Sequence, residues 1–164
     1  MAAADSLLDA IDLKILNLLQ ANARVSQADV ARAVNLAPSA VLERLRKLEA
    51  RGVVAGYGAY LDPAALGLGQ LSFAFVRTVG SMEDMDRAGD LLAQMPEVLE
   101  VHHVAGEDCY LLKIRARDSQ HLSQLLRSVS SVPGVTGTRT TIVLTTVKET
   151  PRLPLPSESK GESA

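Results

Sequence analysis

The chain has 164 residues, with 17 Lys and Arg against 19 Asp and Glu, and 47% of its residues are apolar. A chain of this length and apolar content can bury the core of one ordinary domain or of two small ones, which argues against a disordered protein. Its single cysteine, Cys109, excludes an intramolecular disulfide framework. No signal peptide is recognisable at the N-terminus, and the apolar runs fall short of the roughly 20 residues that cross a bilayer. We therefore expect a soluble cytoplasmic protein without a membrane partner.

The first third of the chain carries three short helical patterns, in which apolar residues recur every three or four positions. Ser26, with a carboxylate three residues later, forms a variant of the capping box that opens the second helix. Pro38 suits the first turn of the third helix, and Gly52 is placed as its left-handed stop. Three short helices with a tight turn between the second and third describe a helix-turn-helix. The predicted helices span residues 8–20, 26–34 and 38–51.

Beyond Gly52 the apolar period changes to two. Residues 53–61 are β-rich and broken by glycines, which predicts a small ribbon beside the third helix. From about residue 70 the elements follow the order β-α-β-β-α-β, with a hairpin at Gly106, as in a ferredoxin-like sandwich of two helices on one face of a four-stranded sheet. The strands are predicted at 71–77, 97–105, 109–116 and 134–147, and the helices at 83–94 and 118–130.

The open face of such a sheet would expose an apolar surface that includes Phe73, Phe75 and Val101, and a homodimer partner is expected to cover it. The predicted fold class is therefore α+β, an N-terminal winged helix-turn-helix plus a C-terminal ferredoxin-like βαββαβ domain. The predicted divisions are a DNA-binding domain at 1–62, a linker at 63–69, a sensing and oligomerisation domain at 70–148, and a flexible tail at 149–164.

Charge separates the two halves of the chain. Residues 24–51 contain six cations and three acids, a local charge of +3, so the remainder carries −5 of the total −2. Cations beside a helix that can enter the major groove are the electrostatic signature of duplex DNA binding. Base edges are read from the first turns of such a helix, whereas later cations reach phosphates. The expected base-reading residues are Ser39, Ala40, Glu43 and Arg44, the expected phosphate contacts are Arg46, Lys47 and Arg51, and Ser26, Gln27 and Pro38 complete the candidate interface.

A catalytic interpretation rests on Cys109 with the nearby His102 and His103, which together suggest a Cys/His nucleophile or a metal site. Adjacent residues of a strand point to opposite faces, so only one of these histidines could join Cys109. The sequence also lacks a phosphate-binding glycine loop, a serine nucleophile elbow and a Cys-x-x-Cys pair. We therefore expect neither an enzyme nor a metal or cofactor site.

Short sequence motifs recur along nearly the whole chain, in both the helical half and the β-α-β-β-α-β half. They occupy 8–24, 36–39, 44–49 and 52–57 in the first half, and 96–98, 103–106, 110–113, 133–135 and 138–140 in the second. With these motifs in order and at these spacings, the chain resembles the Lrp/AsnC family of feast/famine transcription regulators from about Leu8 to Lys148. The resemblance implies double-stranded DNA as a partner, an amino-acid effector, and homodimers that assemble further into tetramers or octamers.

The chain departs from the family pattern at two positions. Ala37 replaces a serine that would cap the recognition helix, at a cost of about 1 kcal/mol. The family pattern Gly-x-x-Asp-Tyr falls on 106–110, where Cys109 stands in place of the usual acid. The effector-binding residues that the resemblance implies are His103, Gly106, Asp108, Cys109, Tyr110, Thr136 and Thr138.

Alternatives to the implied effector site remain open. Asp108 or Glu107 would supply the acceptor for an ammonium group, whereas Gly106 is otherwise only a hairpin turn and the threonines are ordinary strand residues. His103 is equally interpretable as a packed interface residue.

The main hypothesis is a sequence-specific DNA-binding transcription regulator whose oligomeric C-terminal domain responds to an amino acid. An alternative is a ligand-binding or assembly protein without DNA readout, and a weaker one is an enzyme or redox sensor that depends on Cys109.

Overall fold

A computed structural model describes residues 8–156 of the chain. Within it, two compact units are separated: the first holds the residues up to Tyr60 together with those from Thr150 onward, and the second holds Leu61–Glu149. The chain therefore leaves the first unit once and returns to it at the end. The finer predicted division into a linker and a flexible tail stays a prediction, and residues 157–164 of that tail lie outside the described range.

The first unit is built on three helices, as predicted. Helix α1 spans Ala10–Ala21, α2 spans Gln27–Val34 and α3 spans Pro38–Ala50. Ser26 caps α2 by accepting a hydrogen bond from the Asp29 amide, and Asn35 ends that helix in the left-handed conformation with φ 54°. The three helices close around a shared core of Ile15, Leu16, Val30, Ala31, Val34, Val41, Leu45 and Leu48.

The start of α3 is uncapped by any side chain, as the sequence indicated. Ala37 occupies the N-cap position without a side-chain hydrogen bond, and Pro38 takes the first helical position. At the other end Gly52 has φ +70°, which confirms it as the left-handed stop.

The β-ribbon predicted for residues 53–61 is wrong, because no strand is assigned there. The amides of Val53 and Val54 both donate to the carbonyl of Leu48, so this stretch completes the end of α3 instead of pairing. A ribbon needs backbone hydrogen bonds to a second segment, and among the described residues the backbone of 55–61 makes none.

The end of the described chain packs on α1. The Gln20 side chain forms two hydrogen bonds with the backbone of Leu153, one to its carbonyl at 3.2 Å and one from its amide at 2.7 Å. Arg152 donates to the carbonyl of Ala21 at 3.3 Å, and Leu155 packs against the helical core. Residues 152–155 therefore belong to the first unit by contact as well as by position.

The second unit is the predicted four-stranded antiparallel sheet with two helices. Its strands run in the order β2-β3-β1-β4 across the sheet, and every neighbouring pair is antiparallel, as a βαββαβ sandwich requires. The elements are β1 Gln70–Thr78, α4 Met82–Ala93, β2 Val98–His103, β3 Tyr110–Ala116, α5 Ser119–Ser130 and β4 Val135–Ile142.

Strand β4 is shorter than the predicted 134–147. Its ladder with β1 ends where Ile142 pairs with Ser72, and one further hydrogen bond joins the Val143 amide to the Leu71 carbonyl. Because β1 itself begins at Gln70, the later residues have no neighbouring strand to pair with.

The strand register decides which side chains face the helices. Ala74 and Val76 of β1 are fully buried on the helix face, so the alternating Phe73 and Phe75 lie on the open face, as predicted. The same assignment for Val101 is wrong: it pairs with buried Leu112 and packs in the helix-face core. A register shift between Val98 and Glu100 moves the following residues of β2 by one position, which the sequence alternation could not reveal.

Candidate nucleic-acid interface and effector site

The outer face of α3 carries three of the predicted DNA contacts. The helix buries Val41, Leu45 and Leu48. At 100° per residue, the opposite side presents Ser39, Glu43 and Arg46, all of which are exposed. A helix that follows a tight turn and exposes one polar face of this kind can lie in the major groove of a duplex.

The cations of α3 differ in how strongly neighbouring acids hold them. Lys47 pairs with Glu43 one turn earlier at 2.7 Å, and both side chains are about two-thirds exposed, at 67% and 68%. The hydrogen bond from Lys47 lowers the pKa of Glu43. Arg46 is exposed and makes no ion pair within residues 8–156. Arg46 can therefore bind a phosphate without first breaking an ion pair, whereas Arg44 and Lys47 cannot.

Arg44 is turned away from this outer face toward α1. Its guanidinium nitrogen Nη1 lies 2.6 Å from Asp9 Oδ2 and 2.8 Å from Asp12 Oδ1. The amide of Asp12, and after it the Arg44 guanidinium, lowers the pKa of Asp9, while the two carboxylates raise the pKa of Arg44. A residue that the sequence assigned to base reading thus joins two helices of the protein.

The remaining predicted DNA contacts lie around the ends of the helices. The Ser26 hydroxyl is engaged in capping α2, Gln27 is the exposed first residue of that helix, and Pro38 is the first residue of α3. Ala40 and Arg51 line a groove of about 280 Å³ between α1 and α3, together with Asp12, Glu43, Arg44, Lys47 and Leu48.

The predicted effector residues gather partly around the β2–β3 connection. Gly106 has φ +146°, a backbone conformation that only glycine adopts easily. Within the described chain, the amide groups of residues 105–108 donate to no protein acceptor. These amides therefore have no protein partner that a ligand acceptor, such as a carboxylate, would have to displace.

Asp108, the predicted acceptor, is already engaged by two arginines. Its carboxylate lies 3.1 Å from Arg139 and 3.7 Å from Arg77, and its side chain is only 14% exposed. Arg139 also stacks over the Phe75 ring at 4.0 Å, on the open face of the sheet. Glu107 is exposed and makes no ion pair among the described residues, so it is the freer carboxylate of this connection.

The other predicted effector residues point in several directions. Tyr110 is buried on the helix face, where its hydroxyl donates to the Met85 carbonyl at 2.9 Å, and burial raises its pKa. His103 lies beside it, with ring centroids 5.3 Å apart. Cys109 is half-buried with its Sγ 3.7 Å from the Thr78 carbonyl.

The two predicted threonines of β4 differ in their contacts. The Thr136 hydroxyl donates to the Arg77 carbonyl at 3.3 Å. Thr138, paired with Val76, is exposed on the helix face.

The structure gives no support to a Cys/His centre. His102 pairs with Leu111 and His103 with Tyr110, so the two rings lie on opposite faces, as the sequence indicated. No group of three or more His, Cys, Asp or Glu within 8–156 is arranged to hold a metal ion. Among these same residues, no helix is both long and apolar enough to cross a membrane.

Four charged residues escaped the sequence interpretation. Asp9 and Asp12 were visible only as acids at a helix start, and their shared partner is 32 or more residues away. Arg77 and Arg139 meet Asp108 because β1 and β4 are neighbours and place both arginines near the β2–β3 connection. The alternation of side chains along a strand predicts that Arg77 and Arg139 lie on one face of the sheet, but it does not predict that Asp108 lies between them.

Comparisons with known proteins agree with this arrangement. Residues 8–55 match the family model described as winged helix-turn-helix DNA-binding, and residues 72–153 match the model described as Lrp/AsnC ligand binding domain. A relative from Pyrococcus horikoshii, HTH-type transcriptional regulator FL11, is 38% identical over 90% of this chain and 97% of its own length. The leucine-responsive regulatory protein of Haemophilus influenzae is 39% identical over 87% of each chain.

Solved structures give the same result. A transcriptional regulator from Neisseria meningitidis in complex with L-Met superposes with a TM-score of 0.84 at 34% identity, covering 90% of this chain and 97% of that one. A feast or famine regulatory protein from M. tuberculosis complexed with L-methionine also reaches 0.84 at 34% identity, over 92% of this chain and all of that one. These relatives are described as transcription regulators, and both units of the chain are matched.

Proposed function

Because the chain belongs to the Lrp/AsnC family of transcription regulators, we propose that it binds duplex DNA through the outer face of α3 and responds to an amino acid through its sheet unit. The observation that carries the DNA-binding part is the exposed side of α3, where Ser39, Glu43 and Arg46 stand opposite the buried stripe. Ser39 and Glu43 face the base edges, and Arg46 neutralises a phosphate.

A salt titration tests this part. The affinity for duplex DNA taken from upstream of its own coding sequence should fall as salt rises, because each phosphate contact releases counterions. Arg46→Gln should reduce the slope of log K against log salt by about 0.9 for each protomer that contacts the duplex, the value for one lost contact. Arg117→Gln, an exposed arginine of the sheet unit, is the matched control and should leave the slope unchanged. An affinity that does not weaken with salt would refute the proposal.

We place the proposed effector site in the sheet unit, at the connection between β2 and β3. Two relatives of known structure are described as complexes with L-methionine, and one curated relative is named leucine-responsive. In this chain the donors of residues 105–108 would bind the carboxylate of an amino acid, and Glu107, being free of ion pairs in the described part, would accept from its ammonium group. His103, Thr136 and Thr138 are the further residues that the family resemblance assigns to this site.

Thermal denaturation with single amino acids tests the effector. L-methionine and L-leucine are the first probes, since a ligand that binds only the native state raises the apparent melting temperature. D-methionine controls for non-specific effects, and Glu107→Gln should reduce the shift. If none of the twenty standard amino acids raises the melting temperature, the effector proposal fails while the DNA-binding proposal stands.

The proposed assembly is a homodimer that covers the open sheet face, with further association into tetramers or octamers. Phe73 and Phe75 are only half-buried on that face. A two-fold dimer would present two α3 helices to half-sites about one helical turn, roughly 34 Å, apart. Sedimentation equilibrium measures the mass, and a monomer at micromolar concentration would contradict this proposal. Since the relatives named above are bacterial and archaeal, the cytoplasm is the proposed compartment.

A further inference from the structure

We propose that Arg44 is a positioning residue of the DNA-reading helix. It fixes the rotation of α3 against the start of α1, and its own side chain does not contact DNA. The inference rests on the proposed function, because it concerns how α3 is presented to a duplex. It also reverses the role that the position of Arg44 in the sequence suggests.

The first argument is that each of the two carboxylates, Asp9 and Asp12, uses one oxygen for a backbone amide and the other for Arg44. Asp9 Oδ1 accepts from the Asp12 amide at 2.7 Å, and Asp9 Oδ2 accepts from Arg44 at 2.6 Å. Asp12 Oδ2 accepts from the Asp9 amide at 3.4 Å, and Asp12 Oδ1 accepts from Arg44 at 2.8 Å. The capping box of α1 thus uses one oxygen of each acid, and Arg44 uses the other. One guanidinium nitrogen therefore binds both acids of the capping box at the start of α1.

The second argument is burial and charge. The side chains of Asp12 and Arg44 are 11% and 31% exposed and that of Asp9 is 48% exposed, whereas the surface pair of Glu43 and Lys47 is about two-thirds exposed. A pair that is partly shielded from water is screened less than a surface pair. A phosphate would have to displace two carboxylates from Arg44 and would be repelled by both. Arg44 is therefore committed to the protein.

The third argument is the position of Arg44 on the helix. It follows Glu43 and precedes Arg46 by two residues, so it is rigidly connected to the outer face. Successive residues of a helix are 100° apart about its axis, so a rotation of α3 about its own axis by only part of that angle moves the outer side chains away from the base edges. Holding Arg44 at α1 therefore acts together with the buried Val41, Leu45 and Leu48 to set which side chains face the groove.

A comparison of two charge-matched variants tests the proposal. Arg44→Gln and Arg46→Gln each remove one positive charge from α3. We expect Arg46→Gln to reduce the salt slope and to weaken specific and scrambled duplexes alike. We expect Arg44→Gln to leave the slope unchanged and to weaken the specific duplex about tenfold more than the scrambled one. An equal slope reduction in both variants would overturn the proposal.

For a second variant, the positioning role and a simple charge effect predict opposite changes in DNA affinity. Asp9→Asn removes a negative charge near the interface, which by charge alone should strengthen DNA binding, and asparagine is as good an N-cap as aspartate. If Arg44 is a positioning residue, Asp9→Asn should instead weaken specific binding. Arg44→Lys keeps a cation that can reach both acids and should restore most of the specific affinity. Tighter specific binding by Asp9→Asn would contradict the proposal.

Stability measurements separate this proposal from the proposed function. If Arg44→Gln fails to fold, Asp9→Asn decides the question alone, because only the positioning role predicts weaker specific binding by that variant. If the unchanged protein binds no duplex, the proposed function fails, and a double-mutant cycle of Arg44→Gln with Asp9→Asn in urea denaturation still tests the contact. Additive effects on the unfolding midpoint would show that the two side chains are not coupled and would overturn the positioning role.

Discussion

The contact between α1 and the end of the described chain makes a prediction about local stability. Gln20→Ala removes both hydrogen bonds to the Leu153 backbone while leaving a good helix former in place. Each such bond contributes about 0.5–1.5 kcal/mol, and because both of these bonds are exposed we take the lower part of the summed range, about 1–2 kcal/mol, for their loss. This corresponds to a roughly 5- to 30-fold larger population of the opened state of the helical unit.

Hydrogen–deuterium exchange, followed peptide by peptide, measures this opening. Exchange in α1 should accelerate by that factor, while the peptides of β1 and β3 should keep their rates because they belong to the other unit. Gln27→Ala is the matched control: it is an exposed glutamine of the same unit whose side chain makes no hydrogen bond within 8–156.

A second perturbation removes the whole contact. A chain ending at Thr150 also loses Arg152 and the half-buried Leu155, so the acceleration in α1 should exceed that of Gln20→Ala. Equal exchange in the unchanged and shortened chains would refute the interpretation of residues 152–155 as part of the helical unit. An equal response to Gln20→Ala and Gln27→Ala would refute the role of the Leu153 contact.

Two further predictions concern the sheet unit, and urea denaturation measures both. Gly89→Ala should lower its free energy of unfolding by about 1 kcal/mol, because the new Cβ would lie 2.8 Å from the hydroxyl of buried Tyr110, whereas Gly137→Ala meets nothing within 4 Å and should have little effect; similar losses in both variants would contradict the packing argument. Lys113 holds the pKa of Glu149 below its ordinary value. The ion pair therefore stabilises the fold fully at a pH above the ordinary pKa of a glutamate, and this stabilisation is lost as the pH falls through the lowered pKa of Glu149. Glu149→Gln should therefore cost at most about 1 kcal/mol at pH 7, since the pair is partly exposed, and this cost should disappear as the pH falls through the lowered pKa of Glu149; a cost that does not fall as the solution is acidified would show that the charge is not responsible.

Most of the secondary structure was predictable because it is encoded by local patterns. The three helices, the βαββαβ order, the absent cap at Ala37 and the left-handed Gly52 all follow from periodicity and from the conformational preferences of single residues. The errors arose where a second piece of chain decides the outcome. The expected ribbon at 53–61 found no pairing partner, and the register shift in β2 placed Val101 on the helix face.

The candidate site divides in the same way. The outer face of α3 is predictable, since helical geometry alone places Ser39, Glu43 and Arg46 opposite the buried stripe. The availability of each charge is not predictable from the sequence, because an ion pair depends on distance in space. Arg44 looks like a DNA contact in the sequence and is bound to α1 in the structure, and Asp108 looks like a free acceptor and is bound by two arginines.

By itself, the sequence determined the class of protein: a short helical unit with a basic segment at 24–51, followed by an acidic βαββαβ unit, with motifs in the order of one family of regulators. The tertiary structure decided which charged groups remain available for DNA or an effector. It also showed that residues 152–155 pack on the helical unit although they follow the sheet unit in the chain. The physical reason is that hydrophobic periodicity is a local property, whereas the partner of a charge or of a backbone amide can lie more than a hundred residues away.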